Sequence, residues 1–257
     1  MVQIILVRPG QTDYDHQARI QGILNIPLSE AGRQAAAQTA EKLQPYLPKA
    51  LYCSPSRSAE ETAVIIGQKL ELNPKSLDRL QNVNLGLWQG MLVEEVRLKQ
   101  PKVYKQWQER PETIQPPDGE MLAAALKRAT EAIEKLARKH RSGTIVLVIP
   151  EPLASLVQHR ILGTPWSDLW RAANGCSRIE VMNVDKDTPL SSPAPATGAM
   201  GTINGTSPKA VNGTVESRID TAVPAKPSTH TPPMVYRGAT VIPPPSRSQG
   251  SAGTSPR

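Results

Sequence analysis

Arginine is well suited to clamping a phosphate or carboxylate, because its planar guanidinium offers paired N–H donors and stays charged. Two arginines stand where such a clamp can be built. Arg8 follows Ile4, Ile5, Leu6 and Val7, a continuous apolar run of the kind that makes a strand buried on both faces of a parallel sheet. A cation at the carboxyl end of a central strand lies where open α/β sheets place their ligands. Arg57 falls in the first turn of a helix expected over Ser54–Leu70, where free backbone N–H groups also attract anions. Two carboxylates also stand near strand ends: Asp15, in the polar loop running from Gly10 to Pro27, and Glu151, just past a second apolar run, Ile145–Ile149. Two outcomes follow. Either the guanidiniums hold an external phosphate or carboxylate, or they are neutralised internally by Asp15 and Glu151.

The elements that must position these groups alternate between strand and helix. After the first strand, Ser29 caps a helix with Ala36, Ala40, Leu43 and Leu47 at helical spacing, stopped by Pro45 and Pro48. A short strand, Ala50–Cys53, leads into the helix carrying Arg57. Asp78–Gly90 is read as a short strand with a Gly-rich turn around Trp88. Asp118 is expected to open the longest helix, with Leu122, Leu126, Ala129, Ile133 and Leu136 as its buried stripe, closed near Gly143. The strand Ile145–Ile149, a helix begun by Pro152, and a final strand near Ile179–Met182 complete the order. This predicts an α/β fold, a three-layer α/β/α sandwich with a mostly parallel central sheet.

Composition divides the chain of 257 residues near Asp187. Residues 188–257 hold 12 prolines but only nine Leu, Ile, Val or Phe, too little apolar surface to offset the entropy of ordering, so a disordered tail is expected. All four tryptophans, Trp88, Trp107, Trp166 and Trp170, precede the boundary. Within the tail, Met234–Pro245 (MVYRGATVIPPP) gathers an aromatic, an arginine and aliphatics, the pattern of a short motif that orders on a protein partner. The formal charge of +7 splits into +3 before the boundary and +4 scattered after it. No basic stripe or stacking motif accompanies it, so nucleic acid is not the expected partner. Two cysteines, Cys53 and Cys176, with no export signal and no long apolar span, point to the cytoplasm and away from membranes.

Several separate pieces of residues 1–187 resemble the histidine phosphatase superfamily, the phosphoglycerate mutase-like enzymes. They are RPGQT at Arg8, RIQG at Arg19, PLSEAGRQAA at Pro27, YCSPSRSAEETA at Tyr52, GLWQG at Gly86 and PPDGE at Pro116. The resemblance implies a phosphoglycerate mutase-like fold. It also implies a cap over the pocket from residues around Tyr104–Gln115, and ligand binding by Arg8, Arg57, Gln11, Thr12, Asp15, Gln21, Gly22 and Glu151. It calls for no cofactor and no metal. Three positions depart from the family pattern: Pro9 stands where the phosphate-accepting histidine belongs, Pro150 where the second histidine belongs, and Asn82 where a carboxylate usually protonates the leaving oxygen.

Proline has no nucleophilic side chain, so the family's covalent chemistry has no acceptor at residue 9. Of the histidines, His16 alone is expected near the pocket. His140 ends a helix, His159 lies on a packed one and His230 is in the tail. Cys53 lacks the Cys-x5-Arg spacing of thiol phosphatases and reads as a buried strand residue. The sequence therefore leads to a pseudoenzyme, a scaffold or sensor that binds a phosphorylated small molecule or phosphopeptide. The alternative is an active enzyme of the phosphoglycerate mutase or phosphatase class with another nucleophile.

Overall fold

The apolar runs become the centre of a sheet. In a computed structural model, which describes residues 2–140, 142–163, 177–184 and 190, the strands are β1 (Val2–Val7), β2 (Ala50–Cys53), β3 (Pro74–Ser76), β4 (Thr144–Val148) and β5 (Ile179–Val184). Their order across the sheet is β3-β2-β4-β1-β5. The first four are mutually parallel where they pair, and β5 runs antiparallel against β1. β1 and β4 lie side by side in the middle, in register from Gln3 opposite Thr144 to Val7 opposite Val148.

Alternation along these strands builds two cores. Val2, Ile4, Leu6, Tyr52, Ile145 and Leu147 face α6 (Leu122–His140) and α7 (Leu153–Leu162). Ile5, Val7, Leu51, Cys53, Val146 and Val148 face α2 (Glu30–Leu43) and α3 (Arg57–Leu70). Strands buried on both faces need no polar positions, which is why β1 and β4 read as unbroken apolar runs. The fold is the expected α/β sandwich with a mostly parallel sheet covered by helices. Three shorter helices, α1 (Asp13–His16), α4 (Val93–Lys99) and α5 (Pro101–Glu109), belong to the loops above the strand ends.

Local chemistry fixes most boundaries. The Ser29 hydroxyl accepts from Gly32 N at 3.1 Å and starts α2 as expected. The helix stops at Leu43, however; Leu47 adopts a left-handed φ of 46° and is exposed, so it does not belong to the buried stripe. Between Asp78 and Gly90 the chain makes two 3₁₀ turns, Asp78–Leu80 and Gly86–Trp88, and no strand; the third strand lies earlier, at Pro74–Ser76. Asp118 sits at φ 58° in the turn before α6, which begins only at Leu122. Pro152 caps α7 instead of occupying its first turn.

Backbone packing ties the loop after β1 to α2. A Cβ on Gly10 would lie 2.2 Å from Gly32 O, and one on Gly32 would lie 2.1 Å from Gln11 O. Only glycine permits that approach. Every described residue belongs to one compact unit within residues 1–199. Leu190 packs in the larger core, and its carbonyl accepts from Arg160 Nε at 2.6 Å. The rest of the tail with Met234–Pro245, and Trp166, Trp170 and Cys176, lie outside the described residues. Among the described residues no helix is long and apolar enough to cross a membrane.

Candidate functional site

The carboxyl ends of β1 and β4 open into a cavity of about 100 Å³. Parallel neighbours end at the same level, so the loops after Val7 and Val148 meet there. Arg8, Pro9 and Gly10 line one side and Pro150, Glu151 and Pro152 another. Asp15, Arg19, Gln21 and Gly22 come from the loop after β1, Ser58 from the first turn of α3, and Trp107 from α5. Trp107 is buried against Trp88, ring centroids 5.7 Å apart and nearly edge-on, so the cap is anchored to the Gly-x-Trp turn.

Arg8 is 3% exposed and is met by protein groups. Its Nε donates to Glu151 Oε1, Nη2 donates to Gln158 Oε1 at 2.9 Å and to Ser155 Oγ at 3.4 Å, and Nη1 lies 3.3 Å from Glu180 Oε1. Burial by itself would lower the Arg8 pKa, but the charges and hydrogen bonds of Glu151 and then Glu180 outweigh it and hold the pKa above its ordinary value. Glu180 also pairs with Arg178 at 2.9 Å.

Glu151 is fixed as firmly as its partner. Its carboxylate accepts from Ser155 N at 3.1 Å and Ser155 Oγ at 3.0 Å, which ties it to the start of α7. Its backbone carbonyl accepts from Asn82 Nδ2 at 2.7 Å, and the same amide nitrogen donates to Gly22 O at 2.9 Å. Both neighbours of that nitrogen are carbonyls, so the position demands a donor. An ionised carboxylate there would face two acceptors.

The remaining expected residues separate into those inside and those outside the pocket. Asp15 lines it, but its charge is met by Thr12 N and Thr12 Oγ1, both 2.7 Å from Oδ2, and by Gln21 Nε2, 2.7 Å from Oδ1. No arginine pairs with it among the described ion pairs, so of the internal partners expected only Glu151 neutralises Arg8. Thr12 is buried as the cap of α1, and Gly22 takes a φ of 57° at the cavity wall. Gln11 turns its carbonyl to Ser29 N at 2.8 Å and does not line the cavity. His16 is exposed. Cys53 is buried in β2, and burial, with the Glu60 charge adding to it, pushes its thiol up to about 11.

Arg57 faces away. Its side chain is 59% exposed and its Nε donates to Glu61 Oε1 at 2.9 Å; Arg33 pairs with the same carboxylate. Although burial opposes it, these hydrogen bonds keep the Glu61 pKa below its ordinary value. The helix begins at Arg57, not at Ser54, and adjacent helical residues point about 100° apart. That rotation brings Ser58 into the cavity and sends Arg57 to the surface. Sequence reasoning also missed Arg19, which lines the cavity while its Nη1 donates to Gly90 O at 2.6 Å. Arg19 belongs to RIQG, but nothing local in the sequence distinguishes this arginine from a surface one. Glu180 was missed because a carboxylate on a distant edge strand carries no local signal.

Fold and site together define an α/β protein with a pocket lined by arginines and carboxylates at the carboxyl ends of its two central strands. The chain belongs to the histidine phosphatase superfamily (branch 1), whose family model matches residues 4–191. It is 32% identical over 170 residues to phosphoserine phosphatase 1 of Hydrogenobacter thermophilus, covering 66% of this chain and 81% of that protein. It is 31% identical over 181 residues to the glucosyl-3-phosphoglycerate phosphatase of Mycolicibacterium vanbaalenii, covering 67% and 79%. Among solved structures, Bacillus stearothermophilus YhfR superposes with a TM-score of 0.64 at 27% identity, over 73% of this chain and 94% of that one. Two of these relatives are named as phosphatases and none as a scaffold or sensor, which runs against the pseudoenzyme expected from the sequence.

Proposed function

We propose that the chain is a phosphatase-class hydrolase of phosphomonoesters whose phosphoryl acceptor is not a histidine at residue 9 or 150. Membership of the superfamily and the relatives named as phosphatases support this reading over the inactive scaffold, which is corrected accordingly. The observation that carries it is the cavity at the ends of β1 and β4, where two guanidiniums, Arg8 and Arg19, share a wall with the oxygens of Asp15, Ser58 and Glu151.

Hydrolysis requires an oxygen to attack phosphorus as the bond to the leaving alcohol breaks. Pro9 and Pro150 supply no such atom, and no histidine lines the cavity among the described residues. The route these residues allow is direct attack by water, oriented by a carboxylate of Asp15 or Glu151, with the arginines stabilising charge that builds on the phosphoryl oxygens. Positioning and charge stabilisation alone retain on the order of 10³–10⁴-fold acceleration in a hydrolase stripped of its catalytic side chains. Turnover is therefore slow.

Hydrolysis of p-nitrophenyl phosphate and phosphoserine by the full chain tests this. The expected result is slow release of phosphate that drops at least about tenfold in Arg19→Ala and rises in Pro9→His. A wild-type rate equal to the buffer blank, or one untouched by Arg19→Ala, overturns it.

A further inference from the structure

We propose that Glu151 weakens anion binding in this pocket: its carboxylate already fills the place at Arg8 where a ligand oxyanion would bond, so that a phosphate group is held only loosely while that carboxylate stays ionised. The inference rests on the cavity being the phosphomonoester site, but it is read by binding and not by turnover.

A guanidinium presents its donors in a fixed fork. Around Arg8, Gln158 and Ser155 take Nη2, and Glu180 stands beside Nη1; none of the three lines the cavity. Glu151 takes Nε and does line it. The edge of Arg8 that faces the pocket is thus the one Glu151 occupies. A bidentate oxyanion approaching that edge must displace the carboxylate or sit against it, and at this depth the repulsion is weakly screened by water.

Nor is Glu151 a loose surface acid that can swing aside. Its carboxylate oxygens hold Ser155 N and Oγ, and its backbone carbonyl is held by Asn82. Asn82 is 1% exposed and bonds Gly22 with the same nitrogen, so the loop bearing Glu151 and the loop bearing Gly22 are clamped together at the cavity wall. The arrangement holds one negative charge in a fixed position beside the buried cation.

Titration calorimetry of the full-length protein with inorganic phosphate tests the assignment. The wild type is expected to bind no tighter than about 10 mM, and Glu151→Gln, which keeps the shape and one acceptor, at least about tenfold tighter. Adding Arg8→Gln to Glu151→Gln should abolish the gain, and Glu180→Gln alone should change affinity less than about threefold, because Glu180 does not face the cavity. Wild-type binding clearly tighter than about 10 mM overturns the proposal, and that arm stands even if a variant fails to fold by circular dichroism. No gain in Glu151→Gln, or a gain that survives loss of Arg8, overturns it equally. Absence of hydrolysis with the expected binding pattern rejects the proposed function alone.

Discussion

Replacing Arg8 with methionine should cost more stability than any other single change at the site. The side chain is almost wholly buried, and the carboxylates of Glu151 and Glu180 that it answers have side chains only 17% and 9% exposed. Methionine fills much of the space of the arginine stem, so little cavity forms; the loss is electrostatic. Removing one partner of a buried ion pair leaves the other charge desolvated and unpaired, which typically costs about 3–5 kcal/mol. For a domain of this size each kcal/mol moves the melting temperature by about 2–4 °C, so a fall of about 6–20 °C is expected. Thermal and urea unfolding followed by circular dichroism give both figures. Because the pair is buried, the loss should persist when salt is raised well past the concentration that screens surface charges. Adding Glu151→Gln and Glu180→Gln to Arg8→Met should recover most of it. A loss under about 1 kcal/mol, the scale of an exposed ion pair, would show that Arg8 is solvated and that the buried charge network has no energetic meaning.

Asn82→Asp should lower stability by at least about 2 kcal/mol at pH 7, since its carboxylate would face the carbonyls of Gly22 and Glu151; an unchanged urea midpoint would refute this. His140, 2.9 Å from the Tyr52 hydroxyl, has its pKa lowered by burial and then by Lys139 and Lys75. A depressed folded pKa means the unfolded chain takes up the proton first, so this contribution is full above about pH 6.5 and is lost as pH falls below it. His140→Gln should flatten the acid limb of the melting temperature between about pH 6.5 and 5, and parallel limbs would sink the assignment. Arg57→Ala should cost under about 0.5 kcal/mol, because Arg33 still pairs with Glu61, and should leave phosphate binding unchanged. A measurable loss of binding would bring Arg57 back to the pocket.

The parts of the fold that were legible in the sequence are those whose physics is local. Ile4–Val7 and Ile145–Val148 announce themselves as two-sided strands because burial on both faces leaves no room for polar residues, and Arg8 and Glu151 follow directly from where those runs end. The Ser29 cap is equally local. β3 was missed because Pro74–Ser76 is a polar edge strand opened by proline, with no apolar alternation to mark it. The error at Arg57 and Ser58 has a different origin. A helix start misplaced by three residues is harmless for fold class, yet the rotation between neighbouring residues decides which side chain enters the pocket. Of the two outcomes open in the sequence, one has Asp15 neutralise an arginine, whereas in the structure its donors are those of its own turn, Thr12, and of Gln21. Glu180 required knowledge of which strand closes the sheet beside β1, and that is set by topology and not by any neighbouring residue.

The antiparallel strand that supplies Glu180 also shields β1 from solvent. A ribosome emits Val2–Val7 well before Ile179–Val184, so until β5 is made the flank of β1 that it will cover stays open, with its amides and carbonyls unmatched. A chain interrupted before Ile179 would leave its most apolar segment as a border available for joining another copy, and would deny Arg8 one of its two counter-charges at the same stroke. Completion of the sheet and balancing of its charged centre are therefore a single late event in the life of the nascent protein.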